Sequence, residues 1–341
     1  MFQMRSAPAV RFAVYVLRGI GQVMLQDNFI TGFLFLVGIF VSSWVSGLYA
    51  LLGTVVSTWT AIFLKAPANE VDAGIYGFNG TLTGLALAAY LSHGIALIVF
   101  VIIASMFVAL TTAAIRHIAG PRGHALTAPF VITTWIFLGA LIVYLGLPNA
   151  GAAEPLQQPS YAAALTRLSA LDVILGILNG PAQVMLQENP WTGAIFLVAI
   201  AFNSRVSCLA ALLGSAIGVG VGWYMGGTPH SIHQGLFGFN GVLTAIVLGG
   251  ILFLLNRTTV LLTVLGVYVS TVLFGSLVVI LKPLALPALT APFVLVTWVY
   301  VLACAKFPRL ASLVVVSPGT PEGNLRAARD PLVEKEQGEV P

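Results

Sequence analysis

The chain has 341 residues, is 58% hydrophobic and only 8% charged, and carries a formal net charge of +4. Soluble domains carry roughly a quarter charged residues, so a soluble globular protein is excluded. The apolar runs are long enough to be membrane-spanning helices rather than barrel strands. The basic residues are scattered singly, which argues against a nucleic-acid partner and for a scatter of loop charges on one membrane side.

In chain order, residues 1–10 form a short tail. Arg5 precedes the first apolar stretch with no cleavage site after it, so no signal peptide is expected. Residues 11–26 are apolar but punctuated by Arg11, Arg18, Gln22 and Gln26. About 20 residues are needed to cross a bilayer, so this segment reads as a half-membrane element with Gln22 near its inner end. Crossings are expected at 29–43, 47–64, 78–92, 95–115 and 126–147. A linker rich in Pro, Ala and Gln follows at 148–166. The order then repeats: a half element at 170–187, and crossings near 190–203, 207–225, 237–255, 259–281 and 289–305. From Pro308 the chain turns polar and holds five of the 11 acids, which predicts a flexible tail.

The duplication is visible in three collinear blocks. Gln22-Val23-Met24-Leu25-Gln26-Asp27-Asn28 recurs as Gln183-Val184-Met185-Leu186-Gln187-Glu188-Asn189, 161 positions later. Gly77-Phe78-Asn79-Gly80-Thr81-Leu82-Thr83 recurs as Gly238-Phe239-Asn240-Gly241-Val242-Leu243-Thr244 at the same offset. Ala125-Leu126-Thr127-Ala128-Pro129-Phe130 recurs as Ala288-Leu289-Thr290-Ala291-Pro292-Phe293, 163 positions on. A nearly constant offset across three blocks marks an internal repeat.

Charge fixes an orientation. With the N-terminus inside and five crossings per half, 13 of the 15 Lys and Arg residues fall inside, and only Arg167 and Lys282 fall outside. No Lys or Arg occurs between Gly123 and Thr166, so the linker is placed outside. An odd number of crossings per half inverts one half relative to the other, and inverted repeats place a shared site at the midplane. The expected architecture is therefore an all-α integral membrane protein. Its parts are a first inverted repeat over 1–147, an extracytoplasmic linker over 148–166, a second repeat over 167–307 and a flexible cytoplasmic tail over 308–341.

The blocks carry polar groups that are costly in hydrocarbon and so usually serve a purpose. Thr127 and Thr290 each stand two residues before a Pro, where backbone carbonyls are freed. A single such Thr would read as an ordinary Pro kink bonded to its own backbone. Two copies on an inverted repeat would meet near a common axis. Phe78 and Phe239 would offer flat faces to a narrow passage, though a membrane Phe is more often packing. Gln offers an acceptor and two donors with no charge. Such a set suits a small, flat, neutral solute rich in N–H donors better than an ion, which would want rings of charge. Asp27 and Glu188, just ahead of the next helices, read as helix N-terminal caps. His230 and His233, spaced by three, lie in a Gly/Pro-containing loop and read as a solvated pair rather than metal ligands. Gly214, Gly218 and Gly222 read as helix packing, within or between protomers. Cys208 and Cys304 sit in apolar runs as small core residues. Asn79-Gly80-Thr81 and Asn256-Arg257-Thr258 match the glycosylation pattern but are discounted, the first as buried and the second as inside. No phosphate loop, catalytic triad, metal site or cofactor motif is found.

At these residues the chain resembles the urea transporter family. The likeness rests on Gln-Val-x-x-x-x-Asn followed by Thr-Gly (Gln22, Val23, Asn28, Thr31, Gly32; Gln183, Val184, Asn189, Thr192, Gly193), the Gly-Phe-Asn blocks, and the signature Leu-Pro-x-x-Thr-x-Pro-Phe. The signature is complete from Leu286 to Phe293; its first copy, Gly123 to Phe130, lacks the leading Leu-Pro. The likeness covers about residues 10–305. It implies a homotrimer in the cell membrane, each protomer passing urea through its own pore between two halves of five helices and one half-membrane pore helix. It further implies passive, channel-like transport along a ladder of oxygens. By motif, Gln22 with Val23 and Gln183 with Val184 would sit at the two mouths, Leu82, Leu243, Thr127 and Thr290 at the constriction, and Phe78 and Phe239 beside the slot. Gln stands at both mouths where some bacterial members have one Glu, and Leu25 and Leu186 stand where an aromatic occurs. Outside that reading, a coupled transporter of another small neutral or weakly basic solute would need membrane-embedded acids to carry the coupling charge, and the chain offers few. An intramembrane enzyme would need paired acid, base or metal groups, which are not found.

Overall fold

The computed structural model describes residues 7–120, 124–143, 168–315 and 319–329, so the linker expected at 148–166 lies outside the described residues. The first half comprises α1 (Pro8–Gln22), α2 (Phe29–Ser42), α3 (Trp44–Phe63), the short α4 (Ala68–Asp72), α5 (Gly77–Tyr90), α6 (Ile95–Ala119) and α7 (Ala128–Val143). The second comprises α8 (Ala170–Gln183), α9 (Pro190–Asn203), α10 (Arg205–Tyr224), α11 (Pro229–His233), α12 (Phe239–Ile246), α13 (Arg257–Leu281) and α14 (Ala291–Ala303). Two short helices follow, α15 (Pro308–Ala311) and α16 (Pro321–Ala327).

The local reasons for these boundaries repeat between the halves. Asn28 Oδ1 accepts from the Ile30 and Thr31 amides at the start of α2, and Asn189 Oδ1 accepts from Trp191 and Thr192 at the start of α9. These Asn residues, not Asp27 and Glu188, are therefore the N-caps. A cap must accept from the second or third helical amide, and the acids stand one residue too early. Ser43 and Ser204 form single-residue corners between α2 and α3 and between α9 and α10, each extended at φ −156° and −152°.

Length separates the helices into two groups. Among the described residues, α3, α6, α10 and α13 with its following turn to Leu284 are long and apolar enough to cross a membrane. The crossings expected at 29–43, 78–92, 190–203, 237–255 and 289–305 appear as shorter helices of 8 to 14 residues; the one expected at 126–147 is helical from Ala128 to Val143, and residues 144–147 lie outside the described residues. The half elements expected at 11–26 and 170–187 are helices of 15 and 14 residues that end in tight turns.

Close packing relies on glycine. A side chain on Gly53 would meet the Gly80 carbonyl, and one on Gly214 would meet the Gly241 carbonyl, so α3 presses on α5 and α10 on α12 backbone to backbone. The Gly214, Gly218, Gly222 series thus packs within the protomer, against Gly241, Gly238 and Phe237. The two halves meet through α2 and α9. Phe35 and Phe196 rings lie 4.9 Å apart. Thr31 Oγ1 donates to the Ala199 carbonyl at 3.1 Å, and Thr192 Oγ1 to the Gly38 carbonyl at 2.8 Å.

Three features differ from expectation. The helix α12 continues as a π segment, Val247–Ile251, broken by Gly249 and by Gly250 at φ 141°, whereas α5 runs unbroken to Tyr90. The tail expected to be flexible is in part docked. Leu254 N donates to Leu313 O and Val315 N to Leu252 O, and α16 lies against the membrane helices. Its acids and amides find unpaired backbone groups there, which composition alone does not reveal. The His230/His233 pair stands on α11, and His233 Nδ1 lies 3.1 Å from Asp172 Oδ1, so one of the two is paired rather than solvated.

A polar path between paired helix ends

Each Gln block closes a helix on itself. After Gln22 the chain turns through Leu25 at φ 59°, and Gln26 N donates back to Gly21 O. Leu186, at φ 55°, makes the matching turn after Gln183. The second Gln of each block holds that turn. Gln26 Nε2 donates to Met24 O and Gln187 Nε2 to Met185 O, both at 2.8 Å, and both side chains are buried. Gln22 Nε2 instead reaches out of the block to Ala73 O at 3.0 Å.

Each Thr block is a strained entry to a helix. Leu126 and Leu289 take φ 50° and 49°, a conformation costing a non-glycine residue about 1–3 kcal/mol. Asn79 and Asn240 hold it in place. Asn79 Nδ2 donates to Leu126 O and its Oδ1 accepts from Phe130 N; Asn240 does the same with Leu289 O and Phe293 N. The amide of each Gly-Phe-Asn block thus bridges the Phe N–H and the Leu carbonyl four residues before it, the pair that would bond directly in a regular helix. Two tryptophans tie the blocks crosswise: Trp135 Nε1 donates to Pro287 O at 2.7 Å and Trp298 Nε1 to His124 O at 2.9 Å. The result brings Thr127 Oγ1 and Thr290 Oγ1 within 2.6 Å, both buried.

A cavity of about 480 Å³ opens from this threonine pair. At roughly 30 Å³ per water it holds on the order of ten waters. Gln22, Val23, Phe78 and Thr127 all line it. Thr290 adjoins it through Thr127. Leu82 and Leu243 are fully buried and do not line it, and Gln183, Val184 and Phe239 belong to the other half, away from it. Phe239 rests edge-on against Phe274 at 5.3 Å. Further lining residues were given no site role from the sequence: Asn203, Arg116, His124, Gly319 and Thr320. Asn203 binds across the halves, donating to Gln26 Oε1 and accepting from Asn28 Nδ2. Only its distant position, brought in by packing of α9 on α2, makes it part of the site.

Charge near the cavity is paired. Arg116 reaches Glu70 at 2.8 Å, with the Tyr76 hydroxyl also donating to Glu70, and Arg18 lies 3.4 Å from Asp27. Burial, and then the neighbouring Arg116, push the His124 imidazole below its ordinary value, so it is neutral at pH 7. The walls therefore present hydroxyls, amides and carbonyls without a free charge aimed at a solute. Among the described residues, no three His, Cys, Asp or Glu side chains gather to hold a metal.

Comparison with known proteins agrees with the motifs. The family model described as "Urea transporter" matches residues 13–305. Urea transporter 1 of Capra hircus is 32% identical over 320 residues, covering 93% of this chain and 83% of that protein. Urea transporter 1 of Mus musculus is 33% identical over 314 residues, covering 90% of this chain and 81% of its own length. With a family match over most of its length, the chain belongs to the urea transporter family, a family of transport proteins rather than enzymes.

Proposed function

We propose that urea, and small amides like it, cross the membrane passively through the path that runs from the Gln22 cavity past the Thr127–Thr290 pair. Urea transport across the membrane is the family's function; the residues that conduct are inferred from geometry. The observation that carries the reading is the 2.6 Å contact between two buried threonine hydroxyls 163 residues apart, one of which lines the cavity. A solute reaching that point meets two oxygens that either accept or donate, and urea's flat array of N–H donors and one carbonyl can pair with both. Reciprocal bonds across the halves (Thr31 with Ala199, Thr192 with Gly38) support a two-fold pseudo-axis between inverted repeats.

On this reading Gln22 and Val23 form the inner mouth and Gln183 and Val184 the outer one. Phe78 and Phe239 flank the slot, and Leu82 and Leu243 wall the constriction with the threonines. Both termini are cytoplasmic, the membrane is the cell (inner) membrane, and lipid surrounds a homotrimer whose protomers each conduct. The test is light scattering on proteoliposomes under a urea gradient. Thr290→Val and Gln183→Ala should each slow urea entry, and neither a protonophore nor a membrane potential should alter the wild-type rate. If both variants carried urea at the wild-type rate, the site assignment would be wrong; if the protonophore abolished uptake, passive conduction would be.

A further inference from the structure

We propose that residues 319–327 form a strap across one side of the inner mouth, with Thr320 limiting its aperture and Glu322 and Asn324 latching it. The inference rests on reading the Gln22 cavity as that mouth. Gly319 and Thr320 line the same cavity as Gln22, Val23 and Thr127, so the strap is a wall of the solute route rather than a remote appendage.

Both latches are specific. Glu322 accepts from the Val206 amide at 2.9 Å and from the Ser204 hydroxyl at 2.7 Å, at the first turn of α10. That turn has unpaired amides and favours negative charge. Among the described residues, the matching corner at Ser43 in the first half has only its own serine cap. Asn324, itself buried, donates to the Gly250 carbonyl at 2.8 Å and the Ile251 carbonyl at 3.2 Å. Those carbonyls are released by the Gly249–Gly250 break in α12, which the matching helix α5 lacks. Asn324 Oδ1 also accepts from Gly319 N at 3.0 Å, which ties the lining residues to the latch. Pro321 sits where any side chain on Gly250 would project. The helix break and the strap therefore fit one another: the break supplies acceptors and room, and the strap fills both. The consequence is an asymmetry between the repeats, in which α16 narrows the inner end of a duplicated path.

The experiment compares full-length variants in proteoliposomes under gradients of urea and of the bulkier N,N′-dimethylurea, with trypsin cleavage at Arg326 reporting release of the strap. Glu322→Gln with Asn324→Ala should speed cleavage, raise urea permeability about twofold or more, and raise the dimethylurea-to-urea ratio. Thr320→Trp, with both latches kept, should lower urea permeability at least threefold with cleavage unchanged. Released protein with unchanged or lower flux overturns the proposal, as does unchanged flux in Thr320→Trp. Thr290→Val in the same assay separates the two readings. If it slows urea while the strap variants do nothing, the strap proposal alone falls. If it leaves urea flux unchanged, the path itself is misplaced.

Discussion

On the proposed path, the threonine pair offers a neutral solute two hydroxyls and no charge. Thr127 and Thr290 hydroxyls satisfy one another at 2.6 Å, so neither is an orphan in the core. Replacing both with Val removes two partners together, which is close to neutral for stability. The double variant should therefore melt within about 1 kcal/mol of wild type. Its urea permeability should fall roughly tenfold, since losing a hydrogen bond on the proposed path raises the barrier by about 1–2 kcal/mol. Stopped-flow scattering alongside thermal unfolding in detergent checks both halves of that statement. Asn79 and Asn240 behave differently. Each holds a left-handed leucine by bonds on both sides. Asn240→Ala leaves the buried Leu289 carbonyl and Phe293 amide unpaired, at about 1–3 kcal/mol. It should lower the melting temperature as well as the flux, and a variant as stable as wild type would show that these bonds are dispensable.

At the scale of elements, backbone contact decides whether the short helices stay in place. Gly214 on α10 admits no side chain because the Gly241 carbonyl occupies that space. Gly214→Leu must push α12 away, and overpacking of this kind costs about 1–3 kcal/mol or more. It should appear as loss of a monodisperse peak in size-exclusion chromatography. The helix α16 has its own pH response. Burial alone would raise the Glu322 carboxyl, but bonds from the Val206 amide and the Ser204 hydroxyl outweigh it and hold it below its ordinary value of 4.5. Its docking contribution is thus full above that value and is lost as pH falls through the depressed one. Hydrogen exchange of α16, corrected for intrinsic rates, should rise as pH drops below 4.5 in wild type. In Glu322→Gln that step should be absent.

For the whole molecule, the pairing of both charged residues that line the cavity, Asp27 and Arg116, has one consequence on the proposed path: transport should be indifferent to membrane potential. Arg116 with Glu70 and Arg18 with Asp27 leave no free charge to move with the solute. Urea flux in proteoliposomes should be the same at zero and at strong negative potential. The assembly has a separate test. A homotrimer of 35.9 kDa protomers should give three times that mass by native mass spectrometry in detergent, and a monomeric mass would overturn it.

The sequence by itself determined the membrane class, the repeat and the solute family, because each is written in local terms. Apolar runs mark helices, an offset of 161 marks duplication, and Gln, Phe and Thr blocks carry a recognisable signature. It also named Gln22, Val23, Phe78 and Thr127, which do share a cavity. It misread Asp27 and Glu188, because a cap is defined by which amide a side chain reaches, and one residue of displacement changes that. It assigned no site role to Asn203, Arg116, His124 and Thr320, of which His124 alone lies within a signature copy, and they share the cavity because distant helices pack together. It took the last segment for a flexible tail, since polar composition says nothing of waiting partners. Those partners, the carbonyls at Gly250 and Ile251 and the amide of Val206, exist only once α12 has broken and α10 has begun at its corner. Local pattern is set by neighbours in the chain, whereas the meeting of Thr127 with Thr290 and the seating of α16 depend on long-range packing that only the tertiary structure decides.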